Sequence, residues 1–198
     1  DNGEELDANQ QGNIAIKLPL PPCCLTTIWG DIDRFKTGYL ETFPGYYVSG
    51  DGGYIDDDGY LFVMGRTDDI INVSGHRLST GEMEEIIATH DAVAECAVVG
   101  RADDLKGQVP HGFAILKSGV IIDQETVKQE LVGLMREKIG PIACYKDTVI
   151  VERLPKTRSG KILRKLIRKI IDGEDYIIPS TIDDPAILDE IKASIRMQ

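Results

Sequence analysis

The 198-residue chain is short of several things that would place it at once. No apolar stretch approaches the ~18 residues of a membrane span, so no transmembrane helix is expected. The opening DNGEELDANQQGN is polar and acidic. It has neither the apolar core of a signal peptide nor the Arg-rich pattern of a transit peptide. It also lacks an initiator Met, so the chain is expected to be part of a longer one. Cysteine is scarce, with Cys23, Cys24, Cys96 and Cys144 only. The adjacent pair cannot make a C-x-x-C clip and the other two stand alone. Neither a zinc site nor a disulfide framework is expected, and the reading is reduced thiols in an intracellular protein. There is no Walker loop, nucleophilic triad, repeat or low-complexity segment. Net positive charge is missing too: 33 acidic against 22 basic residues give a formal charge of -11. Such a chain is a poor general binder of nucleic acid.

What is present reads as mixed α+β. GNIAIKLPLPP (12–22) has the pattern of a strand entering a Pro-rich loop, and a short helix is expected near 33–41. Two alternating runs flank Asp57-Asp58-Gly59, which is hairpin chemistry. The first 65 residues otherwise look all-β. After a boundary near Gly65 to Asp69, the order reads β-α-β-β-α-β-α. Ser79 and Glu82 have capping-box spacing before a helix whose apolar face is Met83, Ile86 and Ile87. Strands are expected over 92–104 and 111–117 and within 140–155. Further helices are expected from Asp123, over 161–171 and over 185–196. His76 and His90 have no partners at ligand spacing and read as structural.

The sharpest feature is LPKTRSGKILRK (154–165). Eight Lys or Arg and no Asp or Glu lie between Arg153 and Lys169. In a helix over 161–171, Ile162, Leu163, Leu166, Ile167, Ile170 and Ile171 form one apolar stripe. Lys161, Arg164, Lys165 and Arg168 take the opposite face, where solvation alone explains most of them. Lys161 would stand in the first turn, where the helix dipole disfavours a cation. The Thr-Arg-Ser-Gly before it exposes backbone N–H groups at the same end. A phosphate or carboxylate bound between the two explains the placement; a basic nucleic-acid patch and simple surface solvation are the alternatives. Two weaker constellations are VSGD (48–51) and GRTDDIINVSGHR (65–77). Asp51 follows a glycine, as a ribose-binding carboxylate or a turn-forming Asp would. Arg66 and Arg77 suit phosphates or ordinary surface ion pairs. Gly75 suits a turn or the close passage of a ligand.

In order and spacing, YYVSGD, GYLFVMGRTDDIINVSGHRLSTGEMEE and LPKTRSGKILRK resemble signature blocks of the adenylate-forming family of acyl-CoA synthetases, peptide-synthetase adenylation domains and luciferases. INVSGHRLSTGEMEE, GRADDLKG and REKIGPIACYKDTVIVERLPKTRSGKILRK are most similar to the short-chain branch, the acetyl- and propionyl-CoA synthetases. GDIDRFKTGYLETFPGYYVSGD leans toward the propionate type.

The resemblance implies a reaction in two steps. A carboxylate attacks the α-phosphate of ATP to give an acyl-adenylate and pyrophosphate; the thiol of coenzyme A then displaces AMP. It also implies that residues 1–66 are the β-rich end of a large N-terminal AMP-binding domain. Residues 67–69 would be a hinge, and 70–198 a small α/β lid with a short sheet and flanking helices.

By motif, Lys161 would be the catalytic lysine of the first step. Asp51, Arg66 and Arg77 would bind the nucleotide, and Asp68 would be the hinge residue. Ser74, Gly75 and Arg136 would serve coenzyme A. The cofactors implied are ATP, coenzyme A and Mg2+, the last held mainly by the missing N-terminal domain. The partners are acetate or propionate and that domain, with no nucleic acid and no membrane span. The expected compartment is intracellular, the mitochondrial matrix ahead of the cytosol. The phosphate-binding Thr/Ser/Gly loop, the magnesium motif and the acyl pocket of the family are absent. This chain alone is therefore expected to be inactive. A medium-chain synthetase, a peptide-synthetase adenylation domain and a non-catalytic nucleotide- or CoA-binding module are the other readings.

Overall fold

A computed structural model describes residues 3–196. The chain divides into two compact units that join between Asp68 and Asp69. The first is an antiparallel sheet, β1 (Gly12–Lys17), β2 (Tyr46–Ile55) and β3 (Leu61–Arg66), in that spatial order. The β2–β3 hairpin turns on Asp56, whose Oδ1 accepts from the N–H groups of Asp58 and Tyr60 at 3.1 and 2.8 Å. The short helix expected near 33–41 is present in this unit. The helix α1 (Ile32–Tyr39) packs on β2 with Phe35 buried, and Asp31 caps it by accepting from Arg34 N–H. Ile55, Tyr60, Leu61 and Val63 remain more than half exposed, so this small sheet leaves much apolar surface uncovered.

The second unit is a sheet with helices on both faces. The strands are β4 (Ile71–Val73), β5 (His76–Leu78), β6 (Val93–Asp103), β7 (Gly107–Leu116) and β8 (Thr148–Ile150). Their order is β5-β4-β7-β6, with β8 pairing parallel to β7. The helices are α2 (Thr80–Ala88), α3 (Gln124–Lys138), α4 (Arg164–Ile171) and α5 (Ile187–Arg196).

The run Cys96-Ala97-Val98-Val99 on β6 explains the layering. Successive side chains of a strand point to opposite faces. Cys96 and Val98 join Met83, Ile87, Val127, Leu131 and Met135 from α2 and α3. Ala97 and Val99 join Leu166, Ile167, Ile187, Leu188 and Ile191 from α4 and α5. A strand buried on both faces reads as a continuous apolar run. Burial drives the Cys96 thiol pKa up to about 12, so it packs as a small apolar group.

Caps set the helix starts where the sequence placed them. Ser79 accepts from Glu82 N–H at 3.3 Å and Asp123 from Thr126 N–H at 3.1 Å. His90 ties α2 to α3. Its Nδ1 accepts from Ala92 N–H, so its Nε2 carries the proton that faces Glu130 at 2.8 Å.

One element departs from the sequence reading. The helix expected from Lys161 begins at Arg164, and Lys161 lies on a closed hairpin before it. Leu163 N–H donates to Pro155 O at 2.9 Å, Lys156 bridges Ile162, and Thr157 N–H donates to Lys161 O at 2.8 Å. Those backbone bonds would be lost if the helix started three residues earlier. The apolar stripe itself holds: Leu166 and Ile167 are buried, and Ile162, Leu163, Ile170 and Ile171 pack against the same cluster.

Candidate functional site

The candidate residues fall into three groups. In the first unit, the β2–β3 register sets Asp51 opposite Arg66. The Arg66 guanidinium lies 3.6 Å from Asp51 Oδ1 and 3.6 Å from Asp68 Oδ1, and donates to Ser49 O at 3.2 Å. Gly50 makes room for it: a Cβ there would stand 2.8 Å from Arg66 Nη2, on a backbone with φ +80°. Thr67 N–H and Oγ1–H both donate to Gly50 O, at 3.0 and 3.2 Å. Asp51, Arg66 and Asp68 thus form one string of opposite charges, half exposed and open to a polar ligand. Exposed pairs of this length contribute little stability.

The second group is the β4–β5 hairpin, with Asn72 opposite Arg77 and Val73 opposite His76. The two residues between, Ser74 and Gly75, both have positive φ, +51° and +90°. That is the two-residue turn whose twist matches its strands, and it favours glycine in its second place. Nothing lies within 4 Å of where a Gly75 Cβ would stand, so backbone conformation alone calls for glycine. Asn72 Oδ1 accepts from Gly75 N–H at 3.0 Å, and Ser74 N–H donates to Lys106 O at 2.9 Å. The Lys106 ammonium lies 2.8 Å from Cys144 Sγ, just past the end of α3. That contact raises the Lys106 pKa. Arg136 is exposed in the last turn of α3.

The third group is the Lys161 hairpin. Lys161 N–H donates to Thr157 Oγ1 at 3.1 Å, and Gly160 N–H to Thr157 O at 2.8 Å. Residues 181–183 brace the other side: Arg158 N–H donates to Thr181 O and Asp183 N–H to Lys156 O. Within the basic run, half of the charges are neutralised. Arg153 forks onto Glu190 and reaches Asp184 at 2.7 Å. Lys156 meets Glu95 at 2.8 Å, and Lys169 sits 3.7 Å from Glu174. Arg164 forks onto Glu84 at 2.8 and 2.6 Å, and those bonds raise its pKa. It is not part of a solvated face, as the sequence pattern suggested. Lys161 is exposed and makes no ion pair among the described residues. Its backbone is fixed while its ammonium stays available.

Glu84 and Glu95 were not legible as functional partners. Each is one acid among many, and only the tertiary fold brings them to the basic run from 80 and 61 residues away. Among the described residues, no group of three or more His, Cys, Asp or Glu converges to hold a metal ion. No helix there is long and apolar enough to cross a membrane.

Residues 82–161 match the family described as the AMP-binding enzyme C-terminal domain. Over 198 residues the chain is 61% identical to an uncharacterized protein of Pseudomonas aeruginosa, covering 32% of it. Over 196 residues it is 47% identical to the human mitochondrial acyl-CoA synthetase short-chain family member 3, covering 29%. Identity to the acetyl-coenzyme A synthetase of Penicillium chrysogenum is 45%, again covering 29%. The chain therefore spans about a third of the length of these relatives. Among solved structures it resembles the o-succinylbenzoate CoA synthetase of Bacillus subtilis bound to its acyl-adenylate intermediate. That match has 27% identity and a TM-score of 0.68, over 83% of this chain and 32% of the other. Residues 82–161 thus match an AMP-binding enzyme C-terminal domain, and over nearly its whole length the chain is homologous to part of the short-chain acyl-CoA synthetases.

Proposed function

We propose that this chain is the C-terminal portion of an AMP-forming short-chain acyl-CoA synthetase, joining acetate or propionate to coenzyme A through an acyl-adenylate. Its second unit works as a lid that serves the two steps with two different loops. The observation that carries this reading is their separation. The Lys161 hairpin is anchored through Lys156 to Glu95, near the start of β6. The Ser74–Gly75 turn bonds to Lys106, beyond the far end of β6 at Asp103. Glu95 and Asp103 are about 26 Å apart at ~3.3 Å per strand residue. The two loops are thus tied to opposite ends of β6.

In the first step, Lys161 places a positive charge against the α-phosphate and the incoming carboxylate. Negative charge builds on the phosphoryl oxygens in the transition state, and a fixed cation stabilises it there. Arg77 holds the distal phosphates, and Asp51 accepts hydrogen bonds from the ribose hydroxyls. Arg66 orders the segment beside the nucleotide and restrains Asp68, where the chain swings. In the second step, Ser74 and Gly75 border the passage of the pantetheine arm, and Arg136 meets a phosphate of coenzyme A. Magnesium travels with ATP, and its ligands belong to the rest of the polypeptide. The apolar surface left open on the first unit supports its being the edge of a larger domain. The names of its animal relatives support a mitochondrial matrix location.

The test separates the half-reactions in the full-length enzyme. Lys161→Ala should abolish carboxylate-dependent pyrophosphate exchange and spare thioester formation from supplied acyl-adenylate. Normal exchange would sink the assignment. Sequence kinship alone leaves the acid open, and rates with acetate and propionate compared side by side decide it.

A further inference from the structure

We propose that Glu84 is a positioning residue for the first step. Its fork onto Arg164 sets where α4 begins, and so where Lys161 stands. The proposal rests on the role given to Lys161 above.

The Lys161 hairpin is closed at its base by Leu163 N–H on Pro155 O and leads directly into Arg164. The cap residue of α4, Leu163, has no side-chain oxygen to offer, so beyond the hairpin's own backbone bonds no nearby side chain holds the helix start. Glu84 does so from 80 residues away. Its Oε1 accepts from Arg164 Nε at 2.8 Å and its Oε2 from Nη2 at 2.6 Å. The same Oε1 accepts from Val98 N–H at 2.9 Å, on the free edge of β6. A single carboxylate therefore joins the hairpin to the sheet. The pair is well shielded, with side chains 15% and 23% exposed. A planar fork fixes direction as well as distance.

The second anchor, Lys156 on Glu95, is of another kind. Both side chains are 33% exposed, and an ammonium is a point charge that tolerates movement. The fork also neutralises Arg164, the first residue of α4. Glu84 lies on α2, whose first residue follows Ser79 and the β4–β5 hairpin. One short helix thus carries the second-step loop at its start and the first-step anchor at its middle.

The experiment compares Glu84→Gln, Arg164→Lys and Lys161→Ala in the full-length enzyme. Glu84→Gln keeps shape and the Val98 acceptor but loses the charged fork; Arg164→Lys keeps charge and loses the fork. Each should slow pyrophosphate exchange at least tenfold, in kcat rather than KM. Each should leave thioester formation from supplied acyl-adenylate within about twofold. Amide hydrogen exchange of residues 157–162 should speed up in both, a change that no assay of activity supplies. If Glu84→Gln fails to fold, Arg164→Lys carries the same expectation. Wild-type exchange rates in the two fork variants, with Lys161→Ala dead, would overturn the proposal and keep the role of Lys161. An active Lys161→Ala would overturn both. Equal loss of both half-reactions with unchanged amide exchange would make the pair a packing element and also overturn it.

Discussion

The two candidate loops of the second unit are held in different ways. The Ser74–Gly75 turn is held by its own backbone, with two consecutive residues at positive φ and an Asn72 side chain two strand positions back in the same hairpin. The Lys161 hairpin adds to its own backbone bonds a set of outside anchors, Glu84, Glu95 and residues 181–183. The first needs a glycine where the chain reverses. The second needs correct tertiary packing before its lysine is placed at all. A loop that lets a thiol arm pass needs an open, narrow turn. A loop that stabilises a transition state needs its cation held to within a fraction of an ångström.

The largest effects should break the comparison cleanly. In the full-length enzyme, Gly75→Leu should lower thioester formation by roughly 10²-fold, through misplacement of the arm, and leave adenylate formation near normal. Lys161→Ala should do the reverse by about 10²–10³-fold, the cost of removing one preorganised charge-stabilising group. Measuring both half-reactions in both variants gives a crossed pattern; parallel losses would show one shared centre.

Stability separates the loops next. Glu84→Ala strands Arg164 in a shielded site and should cost about 2 kcal/mol, between the values for surface and buried pairs. Gly75→Ala should cost about 1 kcal/mol from the left-handed backbone alone, since no neighbouring atom crowds its Cβ. Denaturant unfolding of this chain measures both, and a larger loss at Gly75 than at Glu84 would reverse the assignment of local and long-range support.

Salt should then sharpen the contrast. At about 1 M ionic strength the screening length is ~3 Å. The half-buried Lys156–Glu95 pair should weaken, and the amides of 157–161 should exchange several-fold faster while those of Ser74 and Gly75 do not change. Smallest is Ser74→Asn, which puts a residue tolerant of positive φ in the first turn position and should gain about 0.5 kcal/mol.

This contrast also explains what could be read before the fold was known. The turn at Ser74–Gly75, the caps at Ser79 and Asp123 and the strand β6 follow from residues a few positions apart. Local backbone chemistry and side-chain periodicity suffice for these. The start of the last basic helix does not follow from such rules. An apolar stripe beginning at Ile162 fits a helix from Lys161 as well as one from Arg164. The choice was made by backbone bonds across the hairpin and by a carboxylate from α2.

The string Asp51–Arg66–Asp68 shows the middle case. Its motifs were visible, but strand register brings the three together, and register depends on which residues of β2 and β3 pair. Residue order alone therefore determined the Ser74–Gly75 turn, the caps and most elements of the second unit, because those depend on short-range pattern. Tertiary structure decided that Lys161 stands on a braced hairpin with its charge unspent, because the acids that neutralise its neighbours arrive from distant parts of the chain.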